Sequence, residues 1–318
     1  MKPHDHHCDC HDDHSHHHDN EGVVASKFDQ MFLLYNLHLH DEIVQAEVRA
    51  LLDAHRQEND TPEVKSLLFS CLELTSLLVT DTEESILALT EKVNRLSDLN
   101  PLLPHPAGLC IYPRFVHLVS QSLEVDGMQL STVTGGFPSA QTFPEVKLAE
   151  TALALHDGAT EIDTVLPVGL FLSEDYDSLA DEIGELKEAC GEETTLKVIL
   201  ETGALGTATN VKKAALLAMY SGADFIKTST GKVEPGATPD AVYTMCQAIR
   251  DYFNQTGLRV GLKVAGGIRT VAQAVDYYTI VKEVLGETWL TPAWFRIGAS
   301  SLANALLSDL SGNTVKYF

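Results

Sequence analysis

The sequence has no apolar run long enough to cross a membrane and no apolar secretory core near its start, so a cytoplasmic location is expected. It is also short of basic residues: 22 Lys and Arg stand against 45 Asp and Glu, for a net charge of −23. That balance argues against nucleic acid or an anionic membrane as partner, and an anionic substrate would need a local cluster of cations and amides. Disulfide-framework spacing is missing as well. Of the six cysteines (Cys8, Cys10, Cys71, Cys110, Cys190, Cys246), the last four fall in apolar or helical contexts and read as buried thiols in a reducing compartment. Beyond the first residues, no group of histidines and carboxylates has divalent-metal spacing, which disfavours a metal-dependent reaction in the core.

What is present begins with a polar tail. Residues 1–21 hold eight of the fourteen histidines, with Cys8, Cys10 and several aspartates, and too few apolar residues to fold. His4, His6, His7, Cys8, Cys10 and His11 are the candidates for metal capture, read as apart from the main activity. Residues 22–62 read as a helical extension, with one or two amphipathic helices over Ser26 to Arg56 and Pro62 suited to a first helical turn. From Leu67 onward, eight short apolar runs alternate with amphipathic stretches. The runs are Cys71 to Leu74, Leu109 to Tyr112, Leu130 to Val133, Glu161 to Val165, Leu196 to Leu200, Asp224 to Lys227, Val260 to Lys263 and Phe295 to Ile297. Buried apolar strands alternating with helices indicate a parallel sheet, and eight such units predict a (β/α)8 TIM barrel over residues 63–318.

The barrel places its active site at the strand C-termini, where Lys227 and Lys263 end the sixth and seventh strands. A lysine at the end of an apolar strand is costly to bury, and burial favours the neutral, nucleophilic amine. Two such ammonium groups on neighbouring strands are expected to repel, driving one neutral so that it can attack a carbonyl and form a Schiff base. Asp163 is a charge within an apolar strand and calls for a partner. The remaining polar residues at strand ends are Glu73, Thr75, Cys110, Lys197, Glu201, Ser300 and Ser301. Two loops close the barrel, Ala265-Gly266-Gly267-Ile268-Arg269-Thr270 and Gly298-Ala299-Ser300-Ser301. They fall where this architecture binds phosphate through backbone amides and a helix N-terminus, and Gly231-Lys232 adds a charged contact. The combination implies an enzyme that anchors a phosphorylated sugar and works on its carbonyl through a lysine imine.

The motifs DFIKTSTGKV (224–233), GLKVAGGIRT (261–270), LKVILETG (196–203), EIDTVLP (161–167) and FRIGASS (295–301) resemble deoxyribose-phosphate aldolase, over roughly Leu67 to Leu307. GATEID (158–163) and LGTATNV (205–211) are similar to the longer, eukaryotic-type branch. The resemblance implies reversible cleavage of 2-deoxy-D-ribose 5-phosphate to acetaldehyde and D-glyceraldehyde 3-phosphate in deoxyribonucleoside catabolism, with no cofactor beyond the covalent imine. It makes Lys227 the Schiff-base lysine, Lys263 the lysine that tunes it and Asp163 part of a proton relay. Gly231, Lys232, Gly266, Gly267, Arg269, Gly298, Ser300 and Ser301 would surround the phosphate, with Glu73, Thr75, Cys110 and Lys197 on the substrate side. A homodimer is the expected assembly. The chain departs from the family at Glu73-Leu74-Thr75, where Asp-Leu-Thr is usual, and at Val264, where proline is common. Tyr317, next to the last residue, is the candidate for a terminal tyrosine reaching the site. Three alternatives stay open: another phosphosugar barrel such as an isomerase or epimerase, a metal-binding protein acting through its tail, and an inactive barrel kept for protein interactions.

Overall fold

The computed structural model describes residues 27–99 and 101–318. The histidine-rich tail, with His4, His6, His7, Cys8, Cys10 and His11, lies outside the described residues. Eight parallel strands close into a barrel in sequence order: β1 Leu72–Thr75, β2 Gly108–Ile111, β3 Gln129–Thr134, β4 Glu161–Val165, β5 Thr195–Ile199, β6 Phe225–Lys227, β7 Gly261–Ala265 and β8 Phe295–Gly298. The expected barrel is borne out, with each strand displaced by no more than a few residues. In chain order the helices are α1 Lys27–Phe32, α2 Asp41–His55, α3 Pro62–Ser70, α4 Glu83–Asn94, α5 Leu96–Leu99, α6 Val116–Ser122 and α7 Pro144–His156. They continue with α8 Val168–Leu172, α9 Tyr176–Cys190, α10 Thr202–Leu205, α11 Ala208–Tyr220, α12 Pro239–Thr256, α13 Val271–Leu285 and α14 Ser301–Ser311.

Local chemistry starts these helices. The Thr61, Thr82, Thr207, Thr238 and Thr270 side chains each accept a backbone N–H of the first turn, and Pro62 and Pro239 occupy positions where the missing N–H costs nothing. Packing then holds them. Leu74, Ile162, Leu196, Ile226, Leu262 and Ile297 alternate along the strands and face outward into one core shared with the helices. On α12, Ala241, Val242, Met245, Ala248, Ile249 and Tyr252 are all buried against that ring. Each fully buried aliphatic side chain contributes about 1.5–3 kcal/mol.

The segment before the barrel forms two helices, within the one or two expected over Ser26 to Arg56. α1 and α2 flank a turn and an extended stretch over residues 33–40. There the Leu37 and Leu39 carbonyls accept from Thr209 Oγ1 on α11, and Asn36 Oδ1 takes the His38 N–H, so one distant and one local side chain take groups that a helix would use. α2 is tied to the ring by Tyr243 Oη to Glu47 (3.1 Å) and Arg56 Nε to Asp276 (2.5 Å). Among the described residues, no helix is long and apolar enough to cross a membrane.

Candidate active site

Because side chains alternate across a strand, the residues between the outward apolar positions point into the barrel. These inward positions carry charge: Glu73 on β1, Glu161 and Asp163 on β4, Lys197 on β5, Lys227 on β6, Lys263 on β7 and Arg296 on β8. Register brings them to one level, since Asp163 pairs with Lys197, Lys227 with Lys263, and Lys263 with Arg296 on adjacent strands. All seven are buried. Buried charges need partners, and each of these has one.

Asp163 is the hub. Its Oδ2 lies 2.7 Å from both Lys227 Nζ and Lys263 Nζ, and its Oδ1 lies 2.9 Å from Lys197 Nζ. Lys197 also contacts Glu161 at 2.6 Å and Glu73 at 3.6 Å. Lys263 donates to Glu73, and Arg296 reaches Glu73 and Glu161, each at 3.1 Å. Burial alone would push the Asp163 carboxyl up, but Lys197, Lys227 and Lys263 together hold it well below the usual carboxylate range. Glu73 follows the same balance: burial opposes ionisation, and Lys197 and Lys263 bring it down to about 2. Burial would lower Lys263, yet Asp163 foremost among its neighbours raises it above the ordinary lysine value. One carboxylate oxygen lies between the two lysines and offsets the repulsion expected of them, and Lys263 is held as an ammonium. Burial pushes the Cys110 thiol up, so it remains protonated 3.9 Å from Asp163 Oδ2.

Above this layer lies a cleft of about 220 Å³ at the C-terminal face of the barrel. It brings together Lys227, Thr75, Gly231, Lys232, Gly266, Gly267, Arg269, Gly298, Ser300 and Ser301. Of the layer's four cations, Lys197, Lys227, Lys263 and Arg296, Lys227 alone lines it. The glycines allow close approach of loops: Gly266 has φ 101°, and a Cβ on Gly236 would stand 2.6 Å from its carbonyl oxygen. Ser300 caps nothing; its hydroxyl donates to the Thr75 carbonyl (2.6 Å) and accepts the Thr75 N–H (3.0 Å), tying the last loop to β1. Ser301 is exposed and opens α14 at the cleft. Lys232 Nζ crosses the mouth to the Leu77 carbonyl, which also accepts from Tyr112 Oη at 3.3 Å.

Four expected substrate-side residues lie elsewhere than in the cleft. Glu73, Cys110 and Lys197 are fully buried beneath it, so they act on the charged layer. Tyr317 is placed on the outer ring: its hydroxyl donates to the Lys92 carbonyl at 2.7 Å, and its N–H bonds Asn304. Those contacts hold the C-terminal segment against α4 and α14, away from the cleft. Val264 faces outward and is fully buried, so the exchange for proline falls on the helix side of β7. Arg296 and Glu161 were not expected in the site. Their signal was present as polar residues alternating with apolar ones in Glu161-Ile162-Asp163 and Phe295-Arg296-Ile297. Glu73, Cys110 and Asp163 bring ligand atoms within 4.8 Å of one another. Both carboxylates are already engaged by lysines, and a divalent cation there would sit among four cationic groups, so this donor set does not fit a metal.

The family model described as DeoC/LacD family aldolase matches residues 81–308. The chain belongs to the DeoC/LacD aldolase family. It is 48% identical over 206 residues to the mouse deoxyribose-phosphate aldolase, a match spanning 64% of this chain and 63% of that relative. It is 43% identical to the human one over 249 residues, 75% of this chain and 77% of that one. The deoxyribose phosphate aldolase structure from Aeropyrum pernix, described as tetrameric, superposes with a TM-score of 0.61 at 27% identity, covering 83% of this chain and 97% of that one. The expected kinship with eukaryotic deoxyribose-phosphate aldolases is thus borne out. The match to the DeoC/LacD family spans both lysine motifs and every strand from β2 onward.

Proposed function

We propose that the protein is a class I aldolase that reversibly cleaves 2-deoxy-D-ribose 5-phosphate to acetaldehyde and D-glyceraldehyde 3-phosphate. The observation that carries this reading is the position of Lys227: a buried amine that opens onto the glycine-lined cleft and is held 2.7 Å from Asp163. Attack requires a neutral amine. The layer holds four cationic groups, Lys197, Lys227, Lys263 and Arg296, against three carboxylates, Glu73, Glu161 and Asp163. Lys227 has one carboxylate partner, which it shares, whereas each of the other three cations contacts at least two.

In this mechanism the Lys227 amine adds to the C1 aldehyde, and loss of water gives a protonated imine. The C2–C3 bonding electrons move into the imine as the C3 hydroxyl gives up its proton. D-glyceraldehyde 3-phosphate leaves and an enamine remains. Protonation at C2 and hydrolysis then release acetaldehyde and regenerate the amine. Asp163, touching Lys227 and Lys263 through one oxygen, relays protons between them, and Lys263 keeps positive charge beside the imine. Phosphate is held by the backbone around Gly231, Gly266, Gly267 and Gly298, by Ser301 at the start of α14, and by Lys232 and Arg269. The chemistry needs no metal or cofactor.

Homo-oligomeric assembly is part of the proposal, on the tetramer described for the Aeropyrum pernix protein, and sedimentation would test it. The four described cysteines are free and buried, which suits the proposed cytoplasmic location. The deciding assay incubates the protein with 2-deoxy-D-ribose 5-phosphate and measures aldehyde release. Equimolar acetaldehyde and D-glyceraldehyde 3-phosphate support the reading. A product of unchanged mass would favour an isomerase instead.

A further inference from the structure

Glu201, just beyond β5, combines two features that are unfavourable for stability. Its backbone is left-handed at φ 55°, a conformation that L-residues rarely adopt. Its carboxylate belongs to a residue only 4% exposed, and among the described residues no Lys, Arg or His nitrogen lies within 4.0 Å of it. Its partners are all on one residue of the loop after β6. Glu201 accepts from the Thr230 N–H at 3.2 Å and from the Thr230 hydroxyl at 2.5 Å. With its proton directed to Glu201, the same hydroxyl accepts the Lys232 N–H at 3.0 Å. Backbone bonds from Leu200 N to the Lys227 carbonyl (2.8 Å) and from Thr202 N to the Thr228 carbonyl (2.9 Å) hold the two loops in register on either side.

We propose that Glu201 is a positioning residue for phosphate recognition: through Thr230 it fixes the Thr230-Gly231-Lys232 turn that faces the phosphate group of the substrate. The proposal rests on the reading of Gly231 and Lys232 as phosphate contacts. A carboxylate suits this task better than an amide, because it takes both Thr230 donors at once and presents no competing donor. It also prevents the Thr230 hydroxyl from donating into the cleft, so Thr230 acts through the shape of the turn. Gly231 sits at φ 74° in this turn, 3.7 Å from Gly266 as measured from where its Cβ would be, so a displaced turn disturbs both phosphate loops together.

The test compares 2-deoxy-D-ribose 5-phosphate with unphosphorylated 2-deoxy-D-ribose as substrates, and inorganic phosphate as inhibitor, in full-length wild type and Glu201→Gln. Loss of a hydrogen bond to a charged group predicts a rise of roughly ten- to hundredfold in KM for the phosphorylated sugar and in Ki for phosphate. The kcat/KM for the unphosphorylated sugar should fall by a much smaller factor. Thr230→Val should reproduce the effect and Thr230→Ser, which keeps the hydroxyl, should reverse it. If Glu201→Gln does not fold, the Thr230 pair carries the same comparison. Equal losses on both sugars, or an unchanged Ki, would overturn the proposal and leave Glu201 a general structural residue. A wild-type protein that cleaves both sugars equally well and ignores inorganic phosphate would remove the phosphate reading itself, and the proposal with it.

Discussion

The two faces of the barrel sheet are built from neighbouring residues and obey opposite rules. Leu196 and Lys197 are adjacent on β5, and Leu262 and Lys263 on β7; in each pair the first joins the apolar core under the helices and the second enters a buried network of ions. On the outer face, stability comes from apolar area removed from water, and any well-packed aliphatic side chain would serve. On the inner face, charges are buried at a cost that well-packed apolar residues would avoid. The fold does not require that inner layer, since barrels of this class are commonly filled by branched aliphatics. On the proposed reading the layer supplies chemistry: Lys227 stands at its upper surface, with Asp163 and Lys263 within one hydrogen bond of each other beneath the cleft.

Substitutions can separate these roles. The largest effect is expected for Asp163→Asn. It removes the charge shared by Lys197, Lys227 and Lys263, and should cost about 3–5 kcal/mol in urea unfolding together with an activity loss of roughly 10²–10⁴. Lys197→Met should cost a similar 3–5 kcal/mol or so by leaving Glu73, Glu161 and Asp163 short of a cation. Its neighbour Leu196→Ala should cost about 2–5 kcal/mol while kcat/KM per folded molecule stays unchanged. Equal kinetic losses in these neighbours would break the distinction between the faces.

The pH dependence is narrower. Glu73 is lowered from 4.5 to about 2, so it binds fewer protons folded than unfolded near pH 4. Its contribution to stability is therefore complete above its unfolded value and is lost as pH falls from about 4.5 toward about 2. Lys263 is raised above 10.5, so its contribution is complete below that value and is lost only at more alkaline pH. Unfolding midpoints across acid pH should follow the carboxylates, and Glu73→Gln should flatten that slope. The smallest effect is expected for Glu73→Asp. It keeps the charge in the layer while withdrawing it by one methylene from Lys263 and Arg296, so its cost should fall below that of Glu73→Gln.

The outer face was legible in the sequence because its apolar positions recur with the strand period, and the capping threonines mark where the helices begin. The lysines at the ends of β6 and β7 and the charge within β4 were legible for the same reason: each violates the pattern around it. Pairings across the barrel were not. Arg296 meets Glu73 from 223 residues away, and only the closed register of eight strands brings them together. Lys197 was expected beside the substrate because position along a strand was visible, but depth inside the barrel was not. Tyr317 follows the hydrogen bonds of Asn304, which no motif announces.

The central claim is that Lys227 is the group of the inner layer that forms an imine. The most direct measurement is borohydride reduction of the protein in the presence of acetaldehyde, followed by peptide mass spectrometry. A two-carbon adduct on Lys227, absent from folded Lys227→Leu, is the result the account predicts. An adduct on Lys263 or Lys197 instead, or an unmodified Lys227 in folded protein, would contradict it.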